Sequence, residues 1–213
     1  YADWEMDSNK GLIWIRSDGG ALNDTAFYVS TDAAGNVYYV GTCYSDATFG
    51  GLHTVMQLFN HQYLFVAKYS PDGNILNAFA IGASDLFPDF RAYGRSVSIS
   101  GNIVTVVGQY TGYMKIGGFT FTDTQTLRNF SIRFDLDLNV QRYSIGGTFN
   151  TRTSVTDNKG YNYQIHSFNN YKNYGRFTVV SQGDYDYAVT KYGLGSESFD
   201  ISEPFNVYYP NYV

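Results

Sequence analysis

The sequence predicts an all-β fold on the strength of three observations. Short runs of β-branched and aromatic residues, such as 36–40 and 102–107, are bounded by glycines, which is typical of β-strands. Turn residues separate these runs, as in the Pro-Asp-Gly-Asn sequence at 71–74, where proline presets its own φ and glycine tolerates a positive φ. No window carries the apolar period of an α-helix over a helical length.

A repeat runs through the chain and sets the predicted order of elements. In each copy a turn is followed by a strand, then by a glycine step, and then by a strand that carries a basic residue. The three copies place the turn and strand at 32–41, 100–108 and 157–166, the glycine step at 49–51, 116–118 and 174–176, and the basic residue at Lys68, Arg133 and Lys191. A further turn and strand follow at 70–82 and 135–146, so the unit is predicted to hold four antiparallel strands in about 60 to 65 residues.

A tandem repeat of such units predicts a single β-propeller domain over residues 1–213, in which each unit is a blade and about four to eight blades close a ring. The predicted blades span about 21–82, 83–147 and 148–203. Residues 3–20 align with the second half of a blade, which leaves a fourth blade incomplete. A carboxy-terminal arm, residues 204–213, offers at most one further strand.

The incomplete blade leaves three outcomes open. The arm pairs with the amino-terminal hairpin of its own chain, or with that of a neighbouring molecule, or the chain is a segment of a longer propeller. Because the arm carries no charged side chain and is rich in aromatic residues, we expect it to act as an assembly element that docks on another surface. The residues expected to make this contact are Phe205, Val207, Tyr208, Tyr209 and Tyr212.

The composition argues against several classes of partner. Charged residues make up 15% of the chain, the net charge is −5, and the basic residues are scattered singly, so no nucleic-acid partner is expected. No apolar run reaches the length of a membrane span, which predicts no membrane insertion. Cys43 is the single cysteine, so it cannot form an internal disulfide, and we expect it to be a small buried side chain.

Sequence motifs of catalytic chemistry are absent. The sequence has no Gly-x-Ser-x-Gly elbow, no His-Glu-x-x-His and no P-loop. His53, His61 and His166 lie in different repeat contexts, and we interpret them as loop or strand residues rather than as metal ligands. The sequence therefore predicts no catalytic residue, no cofactor-binding residue and no metal site.

One calcium alternative stays open. Asp135, Asp137 and Asn139 alternate like the opening of a calcium-binding loop, but the glycine and the distal glutamate of such a loop are missing. A hairpin turn with solvated carboxylates is therefore favoured here, and the same interpretation applies to Asp184 and Asp186.

Two further features bear on the surface. Asn23 and Asn129 each begin an Asn-x-Ser/Thr sequence and are candidate glycosylation sites if the source is eukaryotic. Tyrosines crowd the last third of the chain, where they suit packing between blades, protein interfaces or stacking on sugars.

At the level of these motifs the sequence resembles the SBBP-type β-propeller repeats of extracellular and surface proteins. The matching pieces are the Asp-x-x-Gly-Asn-Val-Tyr-x-x-Gly pattern at 32–41, the Phe-Gly-Gly element at 49–51, the 65–69 run before Asp72-Gly73, and the Gly-Gly steps at 19–20 and 146–147. The resemblance weakens from the first repeat to the third. It implies a propeller displayed outside the cell or on its surface, and it brings no catalytic residues with it.

These observations predict a non-enzymatic, extracellular structural or adhesive propeller that assembles with itself through its incomplete blade, as a filament, ring or surface layer. The alternative is a carbohydrate- or ligand-binding propeller that uses Tyr- and Asn-rich loops, with glycans as partners. A third, less favoured interpretation is an enzyme that acts on glycans through loop carboxylates.

Overall fold

The computed structural model describes residues 11–44, 46–54, 62–81, 91–116, 119–146, 150–159, 161–174, 177–182, 184–192 and 207–208. All regular secondary structure in these residues is β, which confirms the predicted all-β class. The described strands are β1 (Gly19–Gly20), β2 (Thr25–Thr31), β3 (Val37–Tyr44), β4 (Ala47–Phe49), β5 (Leu52–Thr54), β6 (Gln62–Tyr69), β7 (Ile75–Ile81), β8 (Arg91–Ser100), β9 (Ile103–Ile116), β10 (Phe119–Phe134), β11 (Val140–Gly146), β12 (Asn150–Thr156), β13 (Asn162–Phe168), β14 (Tyr171–Tyr174), β15 (Phe177–Val180), β16 (Asp186–Tyr192) and β17 (Val207–Tyr208).

The strands group into three units. The first unit is the antiparallel series β2-β3-β6-β7, and the small hairpin β4-β5 is inserted between β3 and β6. The second unit is the antiparallel series β8-β9-β10-β11. The third unit is β12-β13-β16, with the hairpin β14-β15 inserted before β16. These units lie within the predicted repeats 21–82, 83–147 and 148–203, and the further strand expected of the third repeat falls outside the described residues.

The first and second units belong to one nine-stranded sheet through the contact of β6 with β8, and their faces also pack against each other. One parallel residue pair, Gln62 with Arg91, links β6 to β8. Strand β8 packs against β2, β3 and β6 of the first unit and against β12 of the third. We call the face that a unit turns toward the following unit its downstream face, and the opposite one its upstream face. None of the described sheets is closed.

A repeated aspartate turn shapes the units. Asp32 Oδ1 accepts hydrogen bonds from the N–H groups of Ala34 and Asn36, at 3.0 and 2.9 Å. Asp135 and Asp157 accept the same pair of backbone bonds within their own turns, each at 2.9 Å. A carboxylate that accepts backbone N–H groups two and four residues later fixes the turn locally. The turn that was predicted at 71–74 also forms, with Ser70 in the corresponding position and its Oγ accepting the Asn74 N–H at 3.1 Å.

The hydrophobic core lies chiefly where the first unit meets the second. The rings of Phe79 and Phe134 meet edge to face with 4.9 Å between their centroids. The hydroxyl of Tyr38, which is fully buried, donates a hydrogen bond to the Leu136 carbonyl at 3.0 Å. Gly94 on β8 allows this close approach, because a Cβ there would lie 2.4 Å from both a Leu64 and a Val40 methyl carbon. The contact therefore combines burial of apolar side chains with satisfied polar atoms.

Candidate functional site

The amino-terminal segment, residues 11–20, is held on the upstream face of the first unit. Trp14 Nε1 donates to the Pro71 carbonyl at 2.8 Å, and the indole stacks on the Tyr69 ring with 6.2 Å between centroids. Arg16 Nε donates to the Gly73 carbonyl at 2.6 Å. Gly73 has a φ of 75°, and a Cβ there would lie 2.7 Å from the Trp14 ring. Alternation along this extended segment thus turns Trp14 and Arg16 toward the first unit.

Asp18 is the main polar anchor of this segment. Its Oδ2 accepts hydrogen bonds from the hydroxyls of Tyr39 and Tyr69, each at 2.5 Å, and its Oδ1 accepts the Gly50 N–H at 2.8 Å. Burial, reinforced by these bonds to Asp18, raises the pKa of Tyr39 and of Tyr69. Both hydroxyls therefore remain protonated donors at neutral pH.

A pocket of about 390 Å³ lies between the amino-terminal segment and the first unit. Aromatic rings form much of its wall, and Asp18, Asp24 and Arg16 supply its charged groups. Cys43 also lines it, is buried, and has a thiol whose pKa is raised to about 12 by burial and by Asp24. The predicted small buried cysteine is confirmed, since the Cys43 side chain is fully buried.

A buried polar layer separates the second unit from the third. Its members from the second unit are Ser96, Ser98, Thr105, Gln109, Asn129, Ser131, Arg133 and Ser144, and those from the third are Ser154, Asn162, Gln164 and His166. Ser96 Oγ donates to the Ser154 carbonyl at 2.8 Å, and Ser100 Oγ donates to the Asp157 carbonyl at 2.6 Å. This junction differs in kind from the apolar core between the first and second units.

His166 is the titratable imidazole of that layer. It is fully buried on β13, and its Nε2 hydrogen-bonds Thr190 at 2.8 Å. Burial, with a smaller repulsion from Lys172, lowers its pKa to about 4. The prediction of a strand histidine is confirmed for His166; the side chain of His53 and all of His61 lie outside the described residues.

In the part of the chain that the structure describes, the downstream face of the third unit carries exposed apolar side chains. Ile165 and Val189 are direct cross-strand partners, and Val155 and Tyr187 lie on the same side of the sheet. Their exposed fractions are 37%, 72%, 56% and 69%, respectively. We call these four residues the terminal face. The opposite end of the molecule is also apolar, because Ile13 and Ile15 of the amino-terminal segment are 87% and 74% exposed.

Two of the five predicted arm contacts, Val207 and Tyr208, lie within the described residues. Val207 and Tyr208 form β17, which pairs antiparallel with β11 through Ser144 and Tyr143. They therefore add to the edge of the second unit and not to the amino-terminal hairpin, which was the predicted pairing edge. Phe205, Tyr209 and Tyr212 lie outside the described residues.

The two candidate glycosylation sites differ in accessibility. Asn23 lies in the segment before β2, and its side chain is exposed and accessible to a glycan. Asn129 is fully buried in β10, paired between Gly146 and Gln109, and a glycan there would require the sheets to separate.

The hydrogen bonds of Asp135 and Asp186 bear on whether these carboxylates belong to turns or to calcium-binding loops. Besides the turn bonds to its Oδ1, Asp135 accepts a 2.9 Å hydrogen bond at Oδ2 from the Asn139 side chain, which is the arrangement of the predicted hairpin turn. Asp186 accepts the Gln182 N–H at 2.7 Å. In the described ranges no group of three or more His, Cys, Asp or Glu side chains is gathered as a metal site would need.

Sequence reasoning missed Asp18, Tyr39 and Tyr69 as a cluster. The available signal was the alternation of Trp14, Arg16 and Asp18 along one side of an extended segment. Comparison with known proteins adds no assignment: no protein-family model and no curated protein matches the sequence. Among the described residues there is also no helix with the length and hydrophobicity of a transmembrane span.

Proposed function

We propose that this protein is a non-enzymatic structural or adhesive β-propeller protein of the cell exterior that assembles head to tail with copies of itself. The observation that carries the proposal is the exposed terminal face of the third unit. The downstream faces of the first and second units are covered by the next unit, and the third has no such cover among the described residues. The extracellular location rests on the resemblance to SBBP-type repeats.

The arrangement of the units supports their interpretation as propeller blades. The first strand of each unit, β2, β8 or β12, neighbours that of the adjacent unit, because β8 packs against both β2 and β12. Blades of a propeller meet in this way around a central axis. Three such units and the amino-terminal segment would form most of a small propeller ring. The first and the last unit would then remain to be joined.

The repeated basic residue differs in burial between the covered downstream faces and that of the third unit. Lys68 is nearly buried, and its Nζ lies 3.3 Å from Asp137 Oδ1 of the second unit. Arg133, at the same position of the second unit, is also nearly buried. Lys191 occupies the position in the third unit and is exposed, with its Nζ 4.0 Å from the centroid of the Tyr161 ring. The third unit therefore has the residue pattern of a covered face, and no other unit covers it among the described residues.

The occupant that fits the terminal face is the amino-terminal segment of a second copy. That segment turns Trp14 and Arg16 toward its own first unit, which leaves Ile13 and Ile15 directed away from it. Apolar residues on both surfaces would be removed from water by this contact. Because the two surfaces differ, the contact is heterologous and propagates from one molecule to the next.

The arm is proposed as a secondary assembly element. Within the described residues, strand β17 pairs with β11 at Val207 and Tyr208, and an edge strand of this kind can be exchanged between copies by strand addition. We expect deletion of residues 204–213 to weaken assembly. An unchanged oligomeric state and an unchanged stability after this deletion would remove the arm from the proposal.

The main test uses two variants that each block one end. In the first, Ile13→Glu and Ile15→Glu are combined; in the second, Ile165→Glu and Val189→Glu are combined, so that both blocked ends carry the same charge. Light scattering coupled to size-exclusion chromatography should give species larger than 23.9 kDa for the unmodified chain and a monomer for each variant alone. The two variants mixed should form a dimer and nothing larger, since one intact end of each remains.

The control is Leu127→Glu, which places a charge at a residue that is 40% exposed and lies outside both end surfaces. It should assemble like the unmodified chain. A monomer at every concentration for the unmodified chain would overturn the proposal in favour of ring closure within one molecule. Variants that assemble normally would show that other surfaces are used.

A further inference from the structure

The geometry points to the pocket between the amino-terminal segment and the first unit as a binding site for a small organic cation with an ammonium group. The pocket measures about 390 Å³. Pockets that hold small molecules have volumes of about 300–1,000 Å³, so a ligand the size of a short alkylammonium ion fits. This inference is independent of the assembly proposed above, which uses the opposite side of the amino-terminal segment.

The wall of the pocket is aromatic. The Tyr39 ring packs edge-on against Phe65, with 5.3 Å between the ring centroids, and its centroid lies 6.1 Å from that of Tyr69. Trp14, stacked on Tyr69, and Phe49, 4.8 Å from Phe65, extend the same lining. Aromatic rings attract cations through their quadrupole, most strongly when the cation is withdrawn from water.

The charged groups of the lining favour a cation. Asp18 and Asp24 line the pocket, and Arg16 is the basic residue among the lining residues. The guanidinium of Arg16 donates to backbone carbonyls, from Nε to Gly73 at 2.6 Å and from Nη1 to Ile15 at 3.1 Å. The lining therefore has one more negative than positive side chain, and its positive charge is held by main-chain acceptors.

Both carboxylates are held in place before any ligand binds. Asp24 accepts the Gly20 N–H at 2.6 Å and the Tyr44 N–H at 3.1 Å, as Asp18 accepts the Gly50 N–H and two tyrosine hydroxyls. Pre-positioned acceptors reduce the cost of ordering on binding. The hydroxyls of Tyr39 and Tyr69 already donate to Asp18, so these two donors are not offered to a ligand, and Asp18 and Asp24 are the charged acceptors of the lining. A positively charged ligand complements these carboxylates: a quaternary ammonium such as that of choline supplies the charge, and an alkylammonium also supplies N–H donors.

The test is isothermal titration of the full chain with choline and with its uncharged isostere 3,3-dimethylbutan-1-ol. We expect choline to bind at least about tenfold more tightly than the isostere, because they match in shape and differ in charge. Methyl glucoside serves as the probe for a hydroxyl-rich ligand. Equal binding of choline and the isostere, preferential binding of the glucoside, or no binding of choline would each overturn the proposal.

Variants assign the binding to the pocket. Asp24→Asn and Trp14→Ala should each weaken choline binding about tenfold, whereas Asp184→Asn, an exposed acid outside the pocket, should leave it unchanged. Arg16→Gln should tighten it several-fold, since it removes the positive charge from the lining. This gain cannot come from misfolding. Unchanged affinity in Asp24→Asn and Arg16→Gln together, with near-ultraviolet circular dichroism like that of the unmodified chain, would place the binding elsewhere.

Discussion

The hydroxyl of Ser98 on β8 and the hydroxyl of Thr156 at the end of β12 share a 2.8 Å hydrogen bond across the junction of the second and third units. The two residues are 58 positions apart, as are Ser96 and Ser154, whose side chain and carbonyl are joined in the same junction. The third unit is therefore docked by a ladder of small polar side chains. Polar docking of this kind is more readily reversed than an apolar core, because separated hydroxyls regain hydrogen bonds from water.

We predict that Ser96→Ala combined with Ser98→Ala loosens the third unit without unfolding the first two. Each lost hydrogen bond should lower the free energy of docking by about 1 kcal/mol. Hydrogen exchange followed by mass spectrometry should show faster exchange in residues 150–192 and unchanged protection in β3 and β6. Ser17→Ala, an exposed serine of the amino-terminal segment, is the control. Equal acceleration in all three units would contradict independent docking.

The sequence allowed the locally determined parts of the fold to be predicted. The turns at Asp32 and at 71–74 follow from residues within a few positions of each other, so propensity and turn chemistry were sufficient. The polar layer could not be predicted, since the alternation of Ser96 and Ser98 on β8 also fits an exposed face. Only the stacking of one unit on the next shows that this face is buried.

The pocket was out of reach for the same reason. Trp14 meets Pro71, a separation of 57 positions, and Asp18 meets Tyr69, a separation of 51. Contacts of this kind depend on how sheets pack, and no local pattern specifies them. The repeat interval was a usable signal for the order of the units, but it did not show which side of the amino-terminal segment faces the first unit.

We predict that Asp32→Ala destabilises the first unit by about 2 kcal/mol, because it removes an acceptor used by several donors. Asp32 accepts bonds from the N–H groups of Ala34 and Asn36 and from the Asn36 side chain, at 2.8–3.0 Å. Urea unfolding followed by tyrosine fluorescence measures the change. Asp72→Ala in the exposed turn at 70–74 is the matched control and should be nearly neutral. A neutral Asp32→Ala would mean that the strand pairing alone fixes this turn.

The repeated aspartates also predict a loss of stability in acid. Partial burial by itself raises the pKa of Asp32, but hydrogen bonds from Asn36, Tyr38 and the Ala34 N–H outweigh it, and the pKa lies below its usual range. A carboxyl whose pKa is lower in the folded state stabilises the fold above the unfolded pKa of about 3.9 and loses that contribution as the pH falls further. Urea midpoints should therefore decline below about pH 4. Asp32→Asn should reduce this decline; an identical acid profile would show that other carboxyls dominate it.

Protonation of His166 predicts a second loss of stability, which begins at a higher pH than that of the aspartates. The pKa of this buried imidazole is lowered to about 4 by burial, with a smaller contribution from Lys172, whereas an unfolded histidine titrates near about 6.5. The unfolded chain therefore takes up a proton that the folded chain excludes, so stability is complete above about pH 6.5 and falls as the pH drops toward 4. The loss should be on the order of 3 kcal/mol and should be concentrated in the third unit, where His166 bonds Thr190. Hydrogen exchange of residues 150–192 at pH 7 and pH 5 measures it, once intrinsic exchange rates are corrected for pH. His166→Gln keeps a hydrogen-bonding group without the titration and should flatten the profile between pH 6.5 and 4. A variant that keeps the full pH dependence would assign the transition to a different group.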